Sequence, residues 1–121
     1  MMGLDMRSSE VRNCPVTNGN IYILSNPTFP GLLKIGMTRG RVDRRANKLY
    51  STGVPTPFVI EYIGKSSDMY ESEFLLHENL SNSRYHPNRE FFKVDIEVAC
   101  AAAEDWSQLT YRRIIGDSNF T

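Results

Sequence analysis

Tyr22 and Lys34 stand on two short apolar runs, Ile21–Leu24 and Gly31–Gly36. An isolated phenol has a pKa near ~10 and is a poor base at neutral pH. A neighbouring ammonium stabilises the phenolate and lowers that value. If the two runs pair as antiparallel strands, Lys34 lies beside Tyr22 and tunes it directly. Further on, Arg44 and its neighbour Arg45 offer planar guanidinium forks of the kind that hold phosphate oxygens, and Lys48 follows one turn later. Glu73 and His77 are four residues apart and share one helical face. Each residue also has a structural counterpart reading. Tyr22 fits a core tyrosine and Lys34 a snorkelling lysine. Arg44 fits a helix-surface arginine, Glu73 a solvated carboxylate and His77 a partly buried ring with its hydrogen bonds met.

The charge distribution bears on that choice. Fourteen basic and fourteen acidic side chains cancel over 121 residues, which excludes a polybasic binder that works by bulk charge. The cations are segregated, however. Residues 34–48 hold Lys34, Arg39, Arg41, Arg44, Arg45 and Lys48 against Asp43 alone, and residues 81–93 hold Arg84, Arg89 and Lys93 against Glu90. The stretches 49–80 and 94–121 are net acidic. If the two basic segments converge, they form a phosphate-binding face on an otherwise acidic domain.

The elements that must position these groups can be read from periodicity and turn chemistry. Residues 1–17 are polar and read as a flexible arm. The runs Ile21–Leu24 and Gly31–Gly36, joined by a Pro- and Asn-rich loop, read as a hairpin. A helix follows over Arg41–Tyr50, with Val42, Ala46 and Leu49 on its apolar face. The sequence Val54-Pro55-Thr56-Pro57 stops it and leads into a strand, Phe58–Gly64. A second helix starts at Asp68, which forms a capping box with Glu71. Its apolar stripe reads as Tyr70, Phe74, His77 and Leu80 or Ser81, broadened by Leu76. Residues Ser81–Arg89 form a loop, and Phe91–Val94 a short fourth strand. Asp95 caps a third helix with Ile96, Ala99, Cys100, Ala103 and Trp106 on its apolar side. This order, ββαβα plus a short strand and a C-terminal helix, predicts an α+β fold. A small three-stranded antiparallel sheet is flanked by helices in a domain over 18–110, and 111–121 form a tail.

Length and composition agree with one domain. The mass is 13.8 kDa, with 40% hydrophobic and 23% charged residues, enough for a core without metal or disulfide staples. No apolar run approaches the ~20 residues a membrane helix needs. The first dozen residues lack the apolar segment of a secretory signal. Cys14 and Cys100 form no CxxC pair, which excludes a zinc ribbon or a redox motif. A cytoplasmic location is the expectation.

In sequence order, Asn20-Ile21-Tyr22, Lys34-Ile35-Gly36, Arg44, Glu73 and Asn88 resemble the motif set of the GIY-YIG endonuclease superfamily. The stretches LLKIGMTR, STGVPTPF, Glu73 with His77, and NREFF resemble its phage and bacterial branch with a KIG second motif. The resemblance spans about residues 19–94 and departs from the family at two positions. Asn20 replaces the first motif's glycine, and Lys34 replaces the second motif's tyrosine. It implies a divalent-metal-dependent endonuclease acting on DNA, with RNA as an alternative substrate. In that reading the Lys34-tuned Tyr22 activates water, Arg44 clamps the phosphate and Glu73 holds one Mg²⁺ or Mn²⁺, with His77 as auxiliary base. Glu71 is assigned to capping and Glu78 to solvent. Arg39, Arg41, Arg45, Lys48, Arg84, Asn88 and Arg89 would contact nucleic acid, while Arg89 with Glu90 also reads as a structural ion pair. A second copy of the chain or a partner protein would supply specificity. Two other classes remain: a catalytically silent nucleic-acid-binding or regulatory module, and a dimerising interaction domain built on Ile96–Trp106.

Overall fold

The computed structural model describes residues 18–86, 89–105 and 108–112. The arm assigned to residues 1–17, Asn88, Trp106 and most of the tail lie outside them. Strand β1 (Gly19–Ser25) pairs antiparallel with β2 (Leu32–Thr38), as the hairpin reading requires. Helix α1 (Val42–Leu49) leads to β3 (Val59–Ser66), which lies on the other side of β1. Helix α2 (Met69–Asn79), a short 3₁₀ turn (Ser81–Ser83), β4 (Phe91–Lys93), helix α3 (Ile96–Glu104) and β5 (Gln108–Arg112) follow.

The fold is α+β, with every sheet pairing antiparallel and the strand order β4-β2-β1-β3-β5. The expected three strands are its centre, β2-β1-β3. The short β4 extends one edge, and β5 widens the other by pairing with β3 through Tyr111 and Arg112. Those two residues therefore belong to the sheet and not to a tail.

Strand alternation splits the core in two, because successive side chains point to opposite faces. Ile21, Ile23, Leu33, Ile35 and Tyr62 meet Leu76 and Leu80 of the α2 segment and Ala99, Cys100 and Ala103 of α3. Tyr22 and Leu24 face the other way, onto Val42 and Ala46 of α1. One helix thus covers one face and two helices the other. Among the described residues, no helix is long and apolar enough to cross a membrane.

Helix α2 packs differently from its sequence reading. Met69, Ser72, Leu76 and Leu80 are buried, whereas Tyr70 and Phe74 are 58% and 62% exposed. The entry to the helix decides this. Met69 packs against Gly19, where an added Cβ would come within 2.9 Å of the Met69 Cβ. The Ser66 and Ser72 hydroxyls hydrogen-bond at 2.6 Å. With only Ser67 and Asp68 between β3 and α2, these contacts fix the helix rotation and turn the aromatics outward. The cap is shared in a related way. Asp68 accepts from the Glu71 amide at 3.2 Å, but the Asp68 amide donates to Ser66 rather than to Glu71. Asp95 stands at the start of α3 without a side-chain cap bond.

Asn26 ties the β1–β2 loop to the approach to β3. It is buried; its amide donates to the Thr56 carbonyl at 2.8 Å, and its side-chain oxygen accepts from the Thr28 amide at 2.9 Å and the Thr56 hydroxyl at 2.6 Å. Removing these bonds unties the two loops and leaves the half-buried Thr56 carbonyl and hydroxyl without their partner. Asn26→Ala is therefore expected to lower stability by about 2–3 kcal/mol in urea denaturation. A loss below about 0.5 kcal/mol would show that the two loops are held by other contacts.

Candidate active site

The candidate site lies along the edge of β2, where β4 stops and the two faces of the sheet meet. Beta-strand β4 pairs only with Leu32–Lys34. Beyond it, the Ile35 amide donates to the Glu90 carbonyl at 3.1 Å. The Ile35 carbonyl accepts from the Nε2–H of His77 at 3.0 Å. Groups from β1, α1, α2 and the segment before β4 converge here.

Gly36 makes the convergence possible. It stands opposite Tyr22 in the β1–β2 register. A Cβ at this position would lie 2.6 Å from the Tyr22 hydroxyl and 3.2 Å from a Glu90 carboxylate oxygen. The missing side chain is the space those two groups fill.

Arg45 donates from Nε to the Tyr22 hydroxyl at 3.3 Å. The sequence reading gave the phosphate-clamp position to Arg44 with Arg45 as its competitor, and in the structure Arg45 is the one beside Tyr22. Val42 and Ala46 set the buried face of α1. Arg44 lies about 200° from both at ~100° per residue and is exposed, while Arg45 flanks the buried face.

Lys34 also differs from expectation. It faces Leu24 across the pair, so it is a diagonal neighbour of Tyr22. Its ammonium, on a side chain only 12% exposed, pairs with Glu90 at 3.6 Å and sits 5.2 Å from the Phe91 ring centroid. Tyr22 is consequently pushed up, not down. Burial is the main cause and outweighs the opposing Arg45 bond and charge, while Glu90 and Glu73 add to the rise. Lys34 is pushed down by burial, against the pull of Glu90.

Glu90 is the residue that sequence reasoning missed, having paired it with Arg89. It pairs with Lys34, and its carboxyl lies near enough to Glu73 to raise the Glu73 pKa. A signal was present. Lys34 is the lone cation in the strand LLKIG, and Glu90 directly precedes the strand that pairs with it.

The remaining predicted residues divide. His77 is close to Phe92, with ring centroids 5.0 Å apart, and its Nε2–H is committed to Ile35, so it is held in place by the fold. Burial lowers its pKa and keeps the ring neutral near pH 7. Arg84 donates to the Arg89 carbonyl at 3.0 Å and lies 5.5 Å from the Phe92 ring centroid. With Glu73, His77 and Glu90 it lines a cavity of about 350 Å³. Arg41 is engaged with Asp43 through two contacts, at 2.6 and 3.0 Å. Arg39, Lys48 and Arg89 are exposed. At the first motif, Gly19 takes the close packing against Met69, while the Asn20 amide donates to the Gly40 carbonyl at 2.9 Å.

The family model of the T5orf172 domain matches residues 19–107 of this chain. The chain belongs to the T5orf172 domain family. No curated protein and no solved structure matches it significantly. The matched residues of this T5orf172 domain contain every group converging on Gly36.

In this T5orf172 domain Glu73 is held away from its ordinary carboxylate behaviour. Burial pushes Glu73 up to about 7, and the neighbouring Glu90 charge and hydrogen bond add to it, against Lys34 and Arg84. Among the described residues, no three His, Cys, Asp or Glu side chains gather closely enough to hold a metal ion. Glu73 and Glu90 together still fit a hard divalent cation. Both are oxygen donors, and they crowd negative charge beside an open cavity.

The raised Glu73 has a signed consequence for stability. A carboxyl with a raised folded pKa favours folding fully below its unfolded value near ~4.3, and that contribution is lost as pH rises through about 7. His77, whose value is lowered, acts with the opposite sign on the acid side. The informative quantity is therefore the Tm of the wild type minus that of Glu73→Gln. In EDTA this difference is expected to fall between pH 5.5 and pH 8. A flat difference would show that Glu73 titrates as an ordinary surface carboxylate.

Proposed function

We propose that this chain is a divalent-metal-dependent endonuclease of the GIY-YIG type, hydrolysing phosphodiester bonds in DNA. The observation that carries the reading is the convergence of Tyr22, Arg45, Lys34, Glu90 and Glu73 on the edge of β2 around Gly36. A phenol, two cations and two carboxyls in one place meet the demands of the reaction. Water must lose a proton as it attacks, charge on the phosphorane must be neutralised, and the leaving oxygen must be stabilised.

In the unliganded protein Tyr22 keeps its proton, because burial raises its pKa. The Arg45 Nε–H bond favours negative charge on the phenol oxygen. As the substrate phosphate displaces water, Tyr22 passes its proton to the Glu90 carboxylate and accepts one from the attacking water. Arg45 and Lys34 hold the phosphate oxygens as charge builds, Arg45 through its planar fork. Glu90 also keeps the Lys34 ammonium at the site through their ion pair. As the bond to the leaving oxygen breaks, that oxygen takes the proton Glu90 received. Glu73 would hold the cation, with Glu90 beside it, and the cation when bound would neutralise charge on the phosphate and the leaving oxygen.

The test is nicking of supercoiled plasmid and cutting of a single-stranded substrate in Mg²⁺, in Mn²⁺ and in EDTA. Cleavage is expected with either metal and not with EDTA, and Tyr22→Phe is expected to lower the rate about 100-fold. Salt-sensitive binding without cleavage under any metal condition would instead support a silent nucleic-acid-binding module.

A further inference from the structure

Helix α2 carries two large aromatic side chains, Tyr70 and Phe74, with most of their surface in water. They are one turn apart, on the same face as Glu73 and His77, and all four line the 350 Å³ cavity beside the candidate site. Glu78, Ser81, Arg84 and Glu90 complete the wall. The volume falls within the range of small-ligand pockets, roughly 300–1,000 Å³.

The charges limit what can enter. Glu73, Glu78 and Glu90 against Arg84 make the cavity a poor receptor for a phosphate. The cations suited to phosphate, Lys34 and Arg45, lie beside it at the Tyr22 end of the cluster. A strand whose scissile phosphate sits there would bring its neutral base, not its backbone, toward the aromatics. Carboxylate and hydroxyl groups such as Glu78 and Ser81 can accept hydrogen bonds from base amino groups. A base can enter only when it is unpaired.

We infer that Tyr70 and Phe74 form a stacking platform for an unpaired nucleobase next to the scissile phosphate, so that the substrate is single-stranded or locally unpaired. This rests on the hydrolase reading above and adds its substrate class. Base–aromatic stacking tolerates any sequence, because every base has a π-face.

The experiment measures binding, so that its outcome is separate from cleavage. Protein carrying Tyr22→Phe, in Mg²⁺, is titrated against a 2-aminopurine-labelled single strand and against the same strand annealed to its complement. The single strand is expected to bind more tightly, with its fluorescence quenched. Phe74→Ala and Tyr70→Ala are each expected to weaken single-strand binding roughly tenfold and to abolish the quench, with duplex binding changed less than about twofold. Both positions are exposed, and the variants are expected to melt as the parent does. Phe74→Trp restores binding and Phe74→Leu does not. Binding retained by Phe74→Leu but lost in Phe74→Ala would overturn the proposal in favour of an apolar protein contact. Unchanged affinity in both alanine variants would overturn it while metal-dependent nicking by the wild type kept the hydrolase reading intact. No nucleic-acid binding by the wild type would overturn both.

Discussion

Arg45→Ala is expected to lower kcat/KM for strand cleavage by about 10²–10³, whereas Arg44→Ala stays within about threefold of the wild type. The two residues are neighbours with nearly the same sequence context, and only the rotation of α1 separates them. Arg45 flanks the face buried by Val42 and Ala46, and its Nε–H reaches the Tyr22 hydroxyl at 3.3 Å. Arg44 faces solvent. Removing Arg45 takes away the donor that favours charge on the phenol and one cation available to the phosphate. Arg45→Lys is expected to recover only part of the loss, because an ammonium lacks the planar fork. Single-turnover cleavage of a labelled strand measures all three. Equal losses in the two alanine variants, or a larger loss for Arg44→Ala, would contradict this assignment.

Gly36→Ala is expected to have the larger effect, a loss of at least about 10³ in cleavage with the chain still folded. The added methyl would lie 2.6 Å from the Tyr22 hydroxyl, 2.9 Å from Cζ and 3.2 Å from the Glu90 carboxylate. Tyr22 is 1% exposed and packs in the α1-side core, so its ring cannot swing away cheaply. Tyr22 and Glu90 are displaced at once, and in a catalytic site a misplacement of ~1 Å can already cost about 10²-fold. The stability cost is expected to be about 1–3 kcal/mol, the range for overpacking. Gly53→Ala is the control, since nothing lies within 4 Å of its Cβ position. It should cleave normally. Near-normal cleavage by Gly36→Ala would show that the Tyr22–Glu90 arrangement is not part of the reaction.

These two predictions mark where the sequence was legible and where it was not. The β-branched and aromatic run Ile21–Leu24, the Pro-rich stop before β3 and the periodicity of Val42, Ala46 and Leu49 are local signals, and the central strands and α1 follow them. Tyr22, Lys34, Gly36 and Glu73 could be singled out only through the resemblance of their motifs, in order, to the GIY-YIG set, because residue type alone leaves each with an ordinary structural role. Arg44 against Arg45 could not be decided from spacing, because one residue on a helix is a rotation of about 100° and that rotation depends on packing. The α2 stripe failed for a related reason. The Ser66–Ser72 bond and the Met69–Gly19 contact override a weakly amphipathic pattern, and both join segments that no local window contains.

The amino-acid sequence by itself determined the α+β class, the antiparallel hairpin and most of the chemical groups available to the site. Those properties follow from backbone propensity, turn residues and side-chain type, which act over a few neighbouring positions. The tertiary structure alone decided that Arg45 reaches Tyr22, that Glu90 joins Lys34 and Glu73, and that Tyr70 and Phe74 face water beside a cavity. It also reversed the direction in which the Tyr22 phenol is tuned, since burial outweighs the cation beside it. Each of these depends on groups brought together from distant parts of the chain, and on the water excluded when they meet.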